Sequence, residues 1–184
     1  DGLFRSSRDG RTFHRWPEAF LRPGLCDRGN WAYGDNYQCW GLLETSSDVA
    51  GAPPELSLYA TEGYWRGAST VIRRHTLRMD GFVSVHATGN GGELLTHPLR
   101  FEGRELRLNL ATSAAGSIRV EGQGADGSPL EGYALDECYD LVGDAIERTV
   151  AWKQGAGVGA LQGRAVRLRF VLQDADLYAM RFAS

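Results

Sequence analysis

The sequence predicts an all-β chain with antiparallel strands on three observations. Turn signals recur about every ten residues, the rhythm of sandwiches, barrels and propellers; they include Asp9-Gly10, Pro23-Gly24, Asp80-Gly81, Glu102-Gly103 and Asp126-Gly127. Between them apolar and polar residues alternate with the period of a strand. Helix-favouring content is low, with a single Lys and two Met, while 24 of the 184 residues are Gly, scattered without a collagen-like period.

Taken in order, the first half offers short aromatic segments separated by long polar connections: Gly2 to Ser7, Gln38 to Thr45, Leu56 to Thr61 and Val71 to Met79. The stretch Leu25 to Tyr37 is an irregular loop dense in Trp, Tyr, Asn and Asp, and such loops on a β scaffold commonly carry ligand sites. Composition shifts at Asp80-Gly81, which places a boundary between residues 1–79 and 80–184. Beyond it the alternation sharpens. Leu106, Leu108 and Leu110 share one face and Glu105, Arg107 and Asn109 the other; Ser117 to Glu121 and Val166 to Phe170 repeat the pattern, and Arg148 to Trp152 follows it less regularly. These read as half-buried strands with one wet face. One short helical turn is expected near Ala160-Leu161-Gln162.

Charge and cysteines exclude more than they suggest. The net charge of −3 arises from 20 cations interleaved with 23 acids, so no basic stripe for nucleic acid is present. No apolar run reaches the ~18 residues of a membrane-spanning helix. Cys26, Cys39 and Cys138 are odd in number and lack CxxC spacing; a Cys26–Cys39 bridge is one arrangement, but unpaired buried cysteines are the favoured one. Asp1, without a preceding Met or signal peptide, reads as a cut point.

Ser7-Arg8-Asp9-Gly10-Arg11-Thr12-Phe13 has the form S-x-D-G-x-x-F between two strand-like runs. Asp-Gly favours a tight turn in which Gly takes positive φ and the carboxylate collects nearby backbone N–H groups, with Phe13 tucking the second strand against its neighbours. The pattern resembles the Asp-box hairpin of sialidase-type propeller blades, where its role is structural.

The segments Glu55 to Tyr64, Arg73 to Ala87, Gly92 to Thr96, Leu106 to Val120, Gly143 to Arg148 and Leu172 to Tyr178, in this order and spacing, resemble the C-terminal part of bacterial glycoside hydrolases of the family-32 and family-43 type. Those proteins carry a five-bladed β-propeller followed by a β-sandwich. The resemblance implies that residues 1–79 are the last strands of a propeller, that 80–184 are an antiparallel β-sandwich of jelly-roll or lectin-like type buttressing it, and that earlier blades of the same protein are its partner. It also implies a secreted or periplasmic location and catalytic carboxylates supplied upstream. A glycosidase needs two carboxyls roughly 5–9 Å apart. Here Asp35, Glu44 and Glu62 are the best-placed acids, in or beside the aromatic segments, and the favoured reading of each is a solvated loop acid or Asx-turn former.

Sugar rings stack on Trp and Tyr faces while Asn, Asp and Arg take the hydroxyls. Trp31, Tyr33, Asn36, Tyr37, Tyr64 and Trp65 supply those types as substrate-binding candidates; packing within the fold is the competing role for each, and the favoured one for Trp40 and Trp152. The alternative to the hydrolase-derived reading is a stand-alone, lectin-like carbohydrate-binding sandwich without catalysis.

His14, His75, His86 and His97 form no HxH or HExxH pattern, so no metal site is implied and no cofactor is expected. Asp136, Glu137, Asp140, Asp144, Asp174 and Asp176 are loop acids of the kind that can hold a structural calcium, but without EF-type spacing they read as a solvated acidic surface. Ser113 lies in a turn, not in a G-x-S-x-G elbow.

Overall fold

The computed structural model describes residues 1–25, 31, 33–64 and 70–184. Every sheet is antiparallel, and the chain divides into two compact units, Asp1–Met79 and Asp80–Ser184.

In the first unit, β1 (Gly2–Ser6) and β2 (His14–Leu21) form a hairpin. The ring of Phe4 packs against those of Trp16 and Phe20 across it. The expected packing role of Phe13 is not realised: its ring is exposed, because the turn ends before β2 begins and leaves Phe13 outside the ladder. A second, three-stranded sheet has the order β3 (Leu43–Thr45), β4 (Glu55–Glu62), β5 (Val71–Arg78). Leu21, Leu58 and Ala60, with Phe20, form this unit's small core. The strand expected over Gln38 to Thr45 is interrupted. Residues 36–39 pair with β4 through Asn36, Tyr37 and Cys39, and then Gly41, at φ +90°, breaks the ladder before β3. Trp40 projects from this break and is fully exposed, contrary to its expected packing role.

On β5, Arg74 pins the sheet. Its guanidinium donates to Ser57 Oγ (2.7 Å), Thr45 Oγ1 (3.0 Å) and Glu55 Oε1 (2.7 Å), so one side chain joins all three strands.

The second unit is a β-sandwich built on one long antiparallel pair, β8 (Glu105–Gly124) and β10 (Val166–Ala183). Leu106, Leu108, Leu110, Ile118 and Val120 share one fully buried cluster with Phe170, Val150 and Trp152. The N–H of Val150 donates to Leu106 O and the indole of Trp152 to Val120 O. Straight strand from Leu106 to Val120 would run about 46 Å, yet both ends meet residues two apart. β8 therefore folds over, and its halves face each other across the core, as strands do when they switch layers at a bend. β6 (Val85–Ala87) and β9 (Asp144–Thr149) flank one half; β7 (Gly92–Leu95) flanks the other.

The bend is built at Gly116 and Asp174. Ser117 pairs with Gln173 and Thr112 with Ala175, so four residues of β8 stand against the single Asp174, at φ +43°. The bulge shifts the buried positions of β10 from Val166, Leu168, Phe170 and Leu172 to Ala175 and Leu177.

Two expectations are corrected. Single-turn 3-10 segments occur at both Leu135–Glu137 and Gly159–Leu161. The wet face is also partly covered, with Asn109, Glu121 and Gln123 buried. For Glu121 the reason is plain: the Leu135 N–H reaches over to donate to its carboxylate, which also accepts from Gln123 Nε2 at 2.6 Å.

Candidate functional site

The turn at 34–37 is held against the end of β4 by a compact set of bonds. Asn36 N–H donates to Thr61 O (2.7 Å) and Thr61 N–H to Tyr37 O (3.0 Å). Thr61 Oγ1 donates to Gly34 O (2.8 Å), and the Asp35 carboxylate accepts the Tyr64 N–H (2.9 Å). Gly34 (φ +98°) and Asn36 (φ +62°) take the left-handed conformations such a reversal requires. A Cβ on Gly34 would stand 2.0 Å from the Tyr64 ring, so the glycine is what lets that ring lie against the turn.

This framework brings three tyrosines together. Tyr33 and Tyr37 stand at 87° with centroids 6.2 Å apart, and Tyr37 and Tyr64 at 77° with centroids 6.5 Å apart. Tyr33 is 76% and Tyr37 53% exposed, so these are large apolar faces presented to solvent. A hydrogen bond with Tyr33, followed by partial burial, holds the Tyr37 phenol above its usual titration range. Asn36 is buried, and its Oδ1 has no hydrogen-bond partner among the described residues. Such an orphan acceptor costs about 1–3 kcal/mol.

Of the other candidates, Trp31 is exposed, with its indole N–H donating to Gly24 O (3.3 Å). Trp65 and Cys26 lie outside the described residues. Glu62 forms an ion pair with Arg73 (2.6 Å), and Asp35 anchors the turn, so both acids have structural work beside any chemical one. Glu44 sits on β3 opposite Leu56.

Elsewhere, the S-x-D-G-x-x-F motif forms its turn in full. Asp9 Oδ1 accepts from the N–H groups of Arg11 and Thr12 (both 2.8 Å) and from the Ser7 hydroxyl (3.0 Å), while the Gly10 N–H donates to Ser7 Oγ (2.9 Å). These donors, the backbone pair foremost, lower the carboxyl to about 2. Cys138 is buried and accepts the Val120 N–H, and burial raises its thiol; Cys39 is free but exposed, contrary to the expectation for the cysteines, because it lies on the short outer segment beside β4. His86 pairs with Asp176, which also accepts from Ser84. Among the loop acids, Asp140 pairs with Arg119 and Glu137 accepts the Ala134 N–H. Among the described residues, no three His, Cys, Asp or Glu side chains converge as a metal group.

The tyrosines themselves were nameable from sequence, but the buried orphan of Asn36 and the positioning role of Gly34 were not; the only signal was a Gly and an Asn at alternate positions of an aromatic loop. The sequence matches no protein-family model and no curated protein, and the structure matches no solved one.

Proposed function

We propose that this chain binds carbohydrate through the tyrosine cluster of its first unit, and that it is a non-catalytic part of a glycoside-hydrolase-like protein acting outside the cytoplasm. The observation that carries the reading is the cluster itself: Tyr33, Tyr37 and Tyr64 are gathered around one turn, and two of the three are more than half exposed. A fold does not leave large aromatic faces in water for stability's sake, whereas sugar C–H faces pack on them readily. Neither Asp35 nor Glu62 supplies an evident acid–base pair, since one orients Tyr64 and the other is matched to Arg73. The chemistry of glycoside cleavage then belongs to carboxylates elsewhere. Affinity electrophoresis of the full chain through embedded polysaccharides tests this. Retardation by at least one polysaccharide, abolished in Tyr37→Ala, is expected; mobility indifferent to every glycan overturns it.

The propeller origin of residues 1–79 is supported by a separate observation, the completed Asp9 turn on the β1–β2 hairpin. Reading the source DNA ahead of the Asp1 codon tests that part. Further blades with inward Asp and Glu are expected, and a start codon directly before it would favour the stand-alone lectin-like alternative.

A further inference from the structure

The β1–β2 hairpin gathers positive charge that no described residue balances. Residues 5–15 hold four Arg and a single acid, a local charge of +3 in a chain whose net charge is −3. Resting on the carbohydrate reading above, we infer that this hairpin is the docking surface for an acidic polysaccharide, whose carboxylate or sulfate groups are taken by Arg5 and Arg15 and by the arginines of the turn between them.

Arg5 and Arg15 are direct partners in the antiparallel ladder. Their side chains therefore leave the same face of the ribbon from Cβ atoms about 5 Å apart, and like charges so placed destabilise a strand pair. Elsewhere arginines are matched to acids: Arg73 to Glu62, Arg74 to Glu55, Arg169 to Glu93 and Arg181 to Glu147. Arg5, Arg8, Arg11 and Arg15 are all exposed, and none has an ion-pair partner among the described residues. The one acid of the segment, Asp9, is committed to the turn rather than to a guanidinium, since its Oδ1 accepts from the Arg11 and Thr12 N–H groups and from the Ser7 hydroxyl. A polymer bearing an anion on successive residues relieves the repulsion and offers each guanidinium a pair of acceptors that its planar fork fits.

The tip supplies a place for the sugar itself. Arg8 and the exposed ring of Phe13 line one open cleft, with Ser6, Thr12 and His14. An apolar sugar face and its charged group thus find their counterparts in the same cleft. The Asp9 bonds close the turn before any ligand arrives, so binding does not have to order it.

Calorimetry on the full chain tests this with polygalacturonate against its methyl ester and dextran sulfate against dextran, two pairs that differ in charge but not in backbone. An oligothymidylate controls for bulk negative charge. At least one acidic polymer is expected to bind about tenfold more tightly than its neutral counterpart and than the oligothymidylate, polygalacturonate marking a carboxylate ligand and dextran sulfate a sulfate. R5Q/R15Q should lose that preference while melting no lower than the unaltered chain, because it removes a repulsion. R164Q, at an exposed arginine of the second unit, should keep it. Absence of the acidic preference, or equal binding of the oligothymidylate, overturns the surface; neutral binding that Tyr37→Ala abolishes then leaves the carbohydrate reading standing. A preference lost in R5Q/R15Q and untouched by Tyr37→Ala, with neither neutral polymer bound, keeps the surface and removes the tyrosine reading. The comparison within each pair is made on the unaltered chain and decides the matter even if the double variant misfolds.

Discussion

Gly116 passes beneath the backbone of Asp174 so closely that a Cβ on the glycine would stand 2.3 Å from the Asp174 carbonyl oxygen. No side chain can be accommodated there without moving the bend of the β8–β10 pair. Gly116→Ala is expected to destabilise the sandwich by about 1–3 kcal/mol through overpacking. Gly89→Ala, where nothing lies within 4 Å, should change stability by less than about 0.5 kcal/mol. Denaturant melts of the two variants check the contrast; equal stability would mean that the corner is not rigid.

Asp9 makes a pH prediction. Its folded carboxyl titrates at about 2, below the 3.8 of an unstrained aspartate. Because the folded value is depressed, the stabilisation of the hairpin is fully present above 3.8 and is lost as pH falls from there through about 2. Carbon-detected titration of the carboxyl should give a midpoint near 2, and Asp9→Ala should speed amide exchange at Arg11 and Thr12. A midpoint near 3.8 would show that the turn is not closed in solution.

The cysteines should separate by reactivity. In a Cys26→Ser background, Cys39 should label rapidly with a thiol reagent in the native state, since the thiol is exposed. Cys138, buried with its thiol raised, should label only when the sandwich opens. Rapid native labelling at both positions would contradict the placement of Cys138 under Val120.

Arg74→Met should loosen the three-stranded sheet of the first unit. It removes the donor shared by Ser57, Thr45 and Glu55 and leaves the buried Ser57 hydroxyl with fewer partners, a loss of about 1–3 kcal/mol. Limited proteolysis should then cut faster within residues 43–78 than in the unaltered chain.

How far the sequence reveals this molecule depends on how local the governing interaction is. Period-two alternation at Leu106, Leu108 and Leu110, and at Val166, Leu168 and Phe170, identifies core-facing strands because each residue's fate is set by its own pleat. The same rule fails where a distant element intervenes. Glu121 alternates like a solvent-facing residue but is covered by the turn at Leu135, and Trp40 sits in a strand-like run that Gly41 breaks. Ser117 to Glu121 and Leu106 to Leu110 read as separate strands, since nothing between Thr112 and Gly116 announces a continuous strand that bends. The Asp9 turn is legible in full because all its partners lie within three residues. At the candidate site, chemistry is legible in residue type, but the mutual angles of Tyr33, Tyr37 and Tyr64 come from pairing between chain segments more than twenty residues apart.

The long β8–β10 pair has a consequence for how the second unit comes apart. A sandwich whose layers are separate sheets has a seam along which they can part. Here β8 and β10 run through both layers, so the halves are tethered twice by unbroken chain at Gly116 and Asp174. Separating the layers requires opening both bends at once. Loss of the core is therefore coupled to a change in both long strands, whereas the short outer strands β6, β7 and β9 are placed to fray ahead of it.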